Sequence, residues 1–268
     1  DLANEYGKIC GNYSLWSNLT IFWGCGTNLH RSPYNSRNHE YYSEDAVLTS
    51  GQAVAFISGG KEYGVIIAPK HLAFNDTEIN RTGVSVFMTE QQARENELRG
   101  TQAAIEDAGA LGVMTAFNRV GITAANAHTG LLKNILRGEW GFKGLESQDF
   151  IMNPNYAVLK EYALNGGTMT TFTGENTMAA VSEKFAYWTT ENVGQDTELM
   201  SAIKQAMTWQ AYALANSNAL DGMASNTKLV SVRTWYDNAL VAVQVVFAAL
   251  TVLAAAMYVL NDRKSKKQ

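Results

Sequence analysis

The stretch GVMTAFNRVGITAANAHTGLLKNILRGEWGFKGLESQD, residues 112–149, decides the fold class. It opens on a short apolar run at 112–116 and closes on a second candidate strand, LESQ, at 145–148. Between them a helical pattern runs from Thr129 to Arg137 and stops at Gly138. Short apolar runs alternating with helical patterns imply parallel strands joined by helical crossovers. The rhythm extends in both directions. Residues 19–23, 64–68 and 168–172 read as further strands. Helical patterns start at Asp1, at Ser43-Glu44-Asp45 (reaching Ile57), at Thr89 (reaching Asp107) and at Thr197 (reaching Ala215). Thr89 reads as an N-cap, with Gln92 three residues on as its capping-box partner. The expected architecture is α/β: a TIM-like (β/α) barrel over residues 1–215. Five strands are too few to close an eight-stranded barrel, so its first β/α units are expected to be lacking.

Composition narrows the function classes. With 46% hydrophobic and 17% charged residues, the chain has the makings of a folded core. The formal net charge is −4, and no basic face precedes the C-terminal tail, which argues against nucleic acid as a partner. Two cysteines, Cys10 and Cys25, make no metal framework. They leave open one disulfide or two buried thiols. No secretory signal opens the chain. An amphipathic pattern beginning directly at Asp1 implies a start that is missing, processed away or held by a different chain.

Residues 239–260 read ALVAVQVVFAALTVLAAAMYVL, uncharged throughout, with Gln244 the one strongly polar side chain. A helix of about 20 apolar residues spans the hydrocarbon layer and satisfies its own backbone hydrogen bonds. Trp235 and Tyr236 precede it, where rings favour the interface, and Arg263, Lys264, Lys266 and Lys267 follow it. The reading is a single-pass transmembrane helix in the cell membrane. Residues 261–268 form a basic cytoplasmic tail, and everything before Trp235 is extracytoplasmic. Residues 216–238 are polar and read as the connector.

In a parallel barrel, chemistry collects where strands end. Behind the expected strand ends stand His30-Arg31-Ser32-Pro33, Asn35 to Glu40, Lys70-His71, Asn75-Asp76, Phe117-Asn118-Arg119 and Asp149. No strand end supplies paired Cys or His at ligand spacing, so no metal is expected. No Gly-rich phosphate loop appears, Gly166–Thr168 reads as a plain loop, and no Ser sits in a nucleophile elbow. No cofactor is expected. A sugar-cleaving site needs hydroxyl-binding donors and a carboxylate beneath the anomeric carbon. Lys70, His71, Arg37 and Asp149 are candidates. Each also has a plain reading: Asp149 as a cap or loop residue, Lys70-His71 as surface, and Arg37 as a partner of Glu40 or Glu44.

Four runs carry a family resemblance. SRNHEYYSEDAVLTSGQAVAFISG (36–59) resembles the GRNFEYYSEDP segment of family 3 glycoside hydrolases. APKHLAFNDTEINRTGVSVFMTEQQAREN (68–96) is similar to their KHF-x-x-N-D-x-E-x-x-R segment, GVMTAFNRVG (112–121) to their next strand, and LLKNILRGEWGFKG (131–144) to the approach to their nucleophile strand. The resemblance implies Asp149 as the nucleophile of a retaining exo-β-glycosidase of β-glucosidase type. It implies Arg37, Lys70 and His71 as ligands of the sugar hydroxyls, and Asn75, Asp76 and Arg81 as the loop shaping that site. Phe117 stands where many members carry a Tyr that touches the nucleophile. The cations are expected to keep Asp149 ionised.

Departures accompany the resemblance. Gln148 stands where the family usually has Ser or Thr, and Glu146 occupies a normally apolar strand position. The family's first barrel units would carry a further sugar-binding aspartate. The general acid/base comes in most members from a second, α/β sandwich domain, so a partner domain or chain is expected to supply it. The loop LAFNDTEINR (72–81) lacks the pattern of the branch that places a His-Asp acid/base there. Some members resemble this chain in having the barrel last and a membrane helix at the end. The competing expectation is a non-catalytic sugar-binding or structural subunit of a membrane-anchored assembly.

Overall fold

The computed structural model describes residues 1–81, 83–150, 158–171, 186–220 and 235–265. It divides into two compact units, Asp1–Asp221 and Gly222–Gln268. In the first, the described strands are β1 (Ile21–Gly26), β2 (Ile66–Leu72), β3 (Ser85–Val86), β4 (Gly112–Thr115), β5 (Arg119–Val120), β6 (Thr123–Ala124) and β7 (Leu145–Gln148). Strands β1, β2, β4 and β7 lie side by side in chain order, all parallel. This is the layer that the strand–helix rhythm implied. β4 and β7 pair in unbroken register from Gly112↔Leu145 to Thr115↔Gln148. Of the fifth expected strand, Met169 makes one parallel bridge to Ser147, and residue 172 lies outside the described residues.

Parallel strands covered on both faces read as continuous apolar runs. Ile66, Ile67 and Ala68 of β2 are accordingly buried on both sides of the sheet. Helix α1 (Leu2–Trp16) precedes β1, and α2 (Ala46–Lys61) links β1 to β2. Asp45 caps α2, accepting the Leu48 N–H at 2.6 Å. The two helices meet backbone to backbone at glycines. A Cβ on Gly7 would lie 2.0 Å from the Phe56 carbonyl oxygen, and one on Gly59 would lie 2.1 Å from that of Asn4.

The next crossover starts at Glu90–Gln92, widens over Ala93–Glu97 and ends in Arg99–Glu106. Thr89 caps it, accepting the Gln92 N–H at 3.2 Å. The last crossover, Gly130–Glu139, is also wide, with the Trp140 N–H reaching back five residues to Ile135. These helices enclose a core that includes Phe56, Ile57, Ile67, Leu98, Val113 and Leu136. The helix Thr197–Ala215 sets Ala213 against Ile66 and Leu145.

Two features depart from the sequence reading. β2 runs on to Leu72, so Lys70 and His71 belong to the strand rather than to the loop behind it. Ladder pairing explains the extension, because Lys70 is partnered by Gly26 on one side and Met114 on the other. The small sheet β3-β5-β6 was not anticipated. Its two-residue strands are too short to show a period.

In the second unit, one helix spans Trp235–Ser265. Its stretch Trp235–Leu260 is long and apolar enough to cross a membrane, by length and composition. Residues 221–234 of the expected connector and residues 266–268 of the tail lie outside the described residues.

Candidate active site

The C-terminal ends of β1, β2, β4 and β7 and the segments behind them bring most of the candidate residues together. β7 delivers Asp149, whose backbone N–H still donates to the Thr115 carbonyl at 3.2 Å. Its carboxylate oxygens have different surroundings. Oδ1 accepts the Phe150 N–H at 2.8 Å. Oδ2 lies 3.5 Å from His71 Nε2 and 3.9 Å from Arg81 Nη1.

His71 stands at the end of β2, buried, and is gripped through its backbone by Asn28. The Asn28 side chain accepts the His71 N–H at 2.8 Å and donates to the His71 carbonyl at 2.9 Å. Around the ring, Nδ1 faces the Tyr41 hydroxyl at 3.3 Å, and Nε2 faces Arg37 Nη2 at 3.2 Å. The Tyr41 O–H donates to the Asn75 carbonyl at 2.9 Å, so towards His71 the phenol oxygen is an acceptor. The network therefore assigns the imidazole proton to Nδ1 and leaves Nε2 to accept from Arg37. Burial, with Arg37, Lys70 and Arg81 nearby, holds the His71 pKa well below the usual histidine value, so the ring is neutral.

The cations are paired in sequence. Glu40 binds Arg37 and lies 3.5 Å from Lys70 Nζ through its other oxygen. One oxygen of Glu78 meets Arg37 at 3.4 Å, Arg81 at 3.2 Å and the Asn75 amide at 3.3 Å. Arg81 stacks 4.6 Å above the Phe117 ring. Three cations thus face three carboxylates, Glu40, Glu78 and Asp149. That balance is what permits so many charges to be held partly out of water.

Two opposing effects act on Asp149. The cations do favour its ionised form, as does the Phe150 N–H. Burial outweighs them, and its pKa is raised above the ordinary aspartate value. Asp149 is only 8% exposed.

Of the residues singled out from sequence, Arg37, Lys70, His71, Asn75, Arg81 and Phe117 gather about Asp149. Asp76 turns elsewhere: buried, it pairs with Arg31, which also lies 3.5 Å from the buried Glu97. Sequence reasoning weighed Glu40 as a partner of Arg37, which it is, and did not select Asn28, Tyr41 or Glu78 for the site. Tyr41 and Glu78 stand inside the same motif runs, which is the signal that points to them. Asn28 stands 43 residues before His71 and carries no local signal. Among the described residues no cluster of three or more His, Cys, Asp or Glu can hold a metal, and Cys10 and Cys25 are free, buried thiols. An apolar cavity of about 520 Å³, lined by Phe74, Val86, Leu98, Leu131 and Ile135 among others, includes no residue of the cluster.

Residues 1–182 match the family model described as the glycosyl hydrolase family 3 N-terminal domain. The chain is similar to probable beta-glucosidase J of Emericella nidulans, 35% identical over 150 residues, covering 56% of this chain and 18% of that protein. It is similar too to beta-glucosidase BoGH3A of Bacteroides ovatus, 36% identical over 149 residues, covering 56% of this chain and 20% of that protein. Among solved structures, beta-glucosidase 3B from Thermotoga neapolitana in complex with glucose superposes with a TM-score of 0.73 at 27% identity, over 82% of this chain and 30% of that one. The chain thus spans less than a third of each of these proteins. With the family model matching over most of its length, and the four-stranded parallel layer in agreement, the chain belongs to glycosyl hydrolase family 3.

Proposed function

We propose that this chain carries the nucleophile half of a retaining exo-β-glycosidase acting on terminal β-linked sugars. The observation behind the reading is the Asp149 carboxylate at a parallel strand's tip, one oxygen held by the Phe150 N–H and the other turned to His71 and Arg81. In this reading Asp149 Oδ2 attacks the anomeric carbon as the bond to the leaving oxygen breaks, giving a covalent glycosyl-enzyme. Water then displaces the carboxylate from the opposite face, and the anomeric configuration is retained. Lys70 and Arg37 donate to ring hydroxyls. Neutral His71 accepts at Nε2 once a sugar hydroxyl takes the place of the Arg37 contact. The Asn75 Oδ1 atom, buried with no partner among the described residues, is a further acceptor for the glycone. These contacts strengthen as positive charge develops on the ring.

The leaving oxygen must receive a proton, and the second step must return one. The cluster's other carboxylates, Glu40 and Glu78, are held ionised by Arg37, Lys70 and Arg81, so we assign the acid/base to a second domain or partner chain. Such protonation is worth roughly 10²–10⁴-fold in rate. We further propose that the helix Trp235–Leu260 anchors the protein in the cell membrane, with the barrel part outside and the basic tail in the cytoplasm.

The burial of Asp149 favours the competing reading of a non-catalytic sugar-binding subunit. Turnover of aryl β-glucosides by the complete protein separates the two. Asp149→Ala is expected to abolish turnover while leaving sugar binding measurable, and near-normal rates in that variant would refute the nucleophile assignment.

A further inference from the structure

Asp76 stands apart from the Asp149 cluster, yet it is as deeply buried as any residue in it. Its Oδ2 accepts from Arg31 Nε. The same Nε lies 3.5 Å from Oε1 of Glu97, which is equally buried. One guanidinium thus serves two buried carboxylates. Each carboxylate keeps one oxygen, Asp76 Oδ1 and Glu97 Oε2, with no hydrogen-bond partner among the described residues. Burial also raises the Glu97 pKa above the ordinary glutamate value. Such a group costs free energy that apolar side chains of similar volume would not, so stability alone does not account for it.

The three residues come from three segments. Arg31 stands behind β1, Asp76 behind β2, and Glu97 ends the wide turn Ala93–Glu97 of the next crossover. There the Leu98 N–H bonds five residues back to the Ala93 carbonyl at 2.8 Å, a distortion frequent at functional sites. That crossover is fixed to the end of β1 a second time, by Thr27 Oγ1 and Thr101 Oγ1 at 2.9 Å. Arg31 and Glu97 therefore belong to one frame. The segment behind β2 is held at its start, where Asn118 donates to the Ala73 carbonyl at 2.9 Å. Asp76 is its last buried residue, and none from Thr77 to Arg81 is buried. Asn75 and Glu78 flank Asp76. The Asn75 carbonyl accepts from Tyr41, which faces His71, and Glu78 holds Arg37 and Arg81.

We propose that Arg31 is a positioning residue for the sugar-binding side of the site: by tying Asp76 to the frame of β1 and the crossover, it sets where Asn75 and Glu78 stand, and through them Tyr41, His71 and Arg81. Its effect on turnover rests on the glycosidase reading, whereas its effect on His71 does not.

The test uses the full chain in mild detergent, with isotope-labelled histidine, and reads the ring-nitrogen resonances of His71, assigned by their loss in His71→Asn. Asp76→Ala leaves Arg31 paired with Glu97 and so keeps the buried charges balanced. It is expected to replace the single Nδ1–H form of His71 by a mixture of tautomers, and to lower kcat/KM of the complete protein on aryl β-glucosides about tenfold. Arg31→Met is expected to do the same, and the double variant no more than either single one, because both break one link. Asp76→Asn, whose carbonyl can accept the same bond, is expected to restore both readouts. Arg94 lies in the same wide turn and pairs with Glu139 at 2.6 Å. Arg94→Met is expected to lower the melting temperature and leave both readouts unchanged. A folded Asp76→Ala protein with the native His71 signal would overturn the proposal, as would equal loss of that signal in Arg94→Met. Should Arg31→Met fail to fold, Asp76→Ala decides alone. A complete protein without turnover would sink the glycosidase reading, and the His71 signal would still decide this one.

Discussion

His71 Nε2 lies 3.2 Å from Arg37 Nη2 and 3.5 Å from Asp149 Oδ2, so one neutral ring nitrogen separates a guanidinium from the proposed nucleophile. His71 cannot both accept from Arg37 and donate to Asp149 through that atom. The carboxylate therefore takes its electrostatic support from cations further off, and its protonation state becomes sensitive to each of them.

Arg81→Met tests that sensitivity in one direction. Of the cations that oppose the effect of burial on Asp149, Arg81, 3.9 Å from Oδ2, acts most strongly. Its removal is expected to raise the Asp149 pKa further, so the acid limb of kcat/KM in the complete protein moves to higher pH. Phe117 keeps an apolar neighbour, which limits collateral damage.

Glu78→Gln tests the other direction. Glu78 neutralises Arg37 and Arg81 through one oxygen. With an amide there, Arg81 loses its carboxylate partner in the cluster other than Asp149 and Arg37 keeps only Glu40, so both act on Asp149 more strongly, and the acid limb is expected to move to lower pH. Loss of charge-assisted hydrogen bonds should also cost about 2 kcal/mol of stability, read by chemical denaturation. Shifts of the same sign in the two variants would contradict the charge balance described for the cluster.

Glu146 governs stability rather than chemistry. It is fully buried on β7, and neither carboxylate oxygen has a hydrogen-bond partner among the described residues. Burial pushes its pKa up to about 7, although Tyr162 and Arg137 nearby oppose the rise. The unfolded chain releases this proton near the ordinary glutamate value, well before the folded one does. The stability tied to this one group is therefore full below that value, falls as pH rises towards about 7, and levels off above, with a loss of about 3 kcal/mol. Glu146→Gln is expected to flatten this dependence in melts taken from pH 4 to pH 8.

Gly59→Ala probes the contact between α1 and α2. Alanine ordinarily favours a helix by up to about 1 kcal/mol over glycine. Here the new methyl would lie 2.1 Å from the Asn4 carbonyl oxygen, which is backbone and cannot swing aside. Overpacking of this kind costs about 1–3 kcal/mol, so a net fall in melting temperature is expected.

Much of this arrangement was legible in the sequence for a physical reason. Strands buried on both faces are mostly apolar runs, so 112–116 announced β4, whereas β7, Leu-Glu-Ser-Gln, is buried yet polar and was read only from the strand–helix rhythm around it. A capping side chain must stand next to the helix it caps, and Thr89 did. β2 was read short because Lys70 and His71 are polar, yet its ladder partners carry the strand through them. Lys70, His71 and Asp149 were found because they stand where strands end. Glu40 was weighed only as a partner of Arg37, and Glu78 was not selected, since the reach of Glu40 to Lys70 and of Glu78 to Arg37 exists only after folding. The burial that raises the Asp149 pKa likewise has no signature in residue order.

The most direct test of the nucleophile assignment uses an aryl 2-deoxy-2-fluoro-β-D-glucoside, whose activated leaving group needs little protonation and so depends little on the acid/base. After incubation with the complete protein, peptide mass spectrometry is expected to find one fluoroglycosyl group, on Asp149, and none in Asp149→Ala. A label on any other side chain, or an unlabelled protein that nonetheless turns over β-glucosides, would contradict the account.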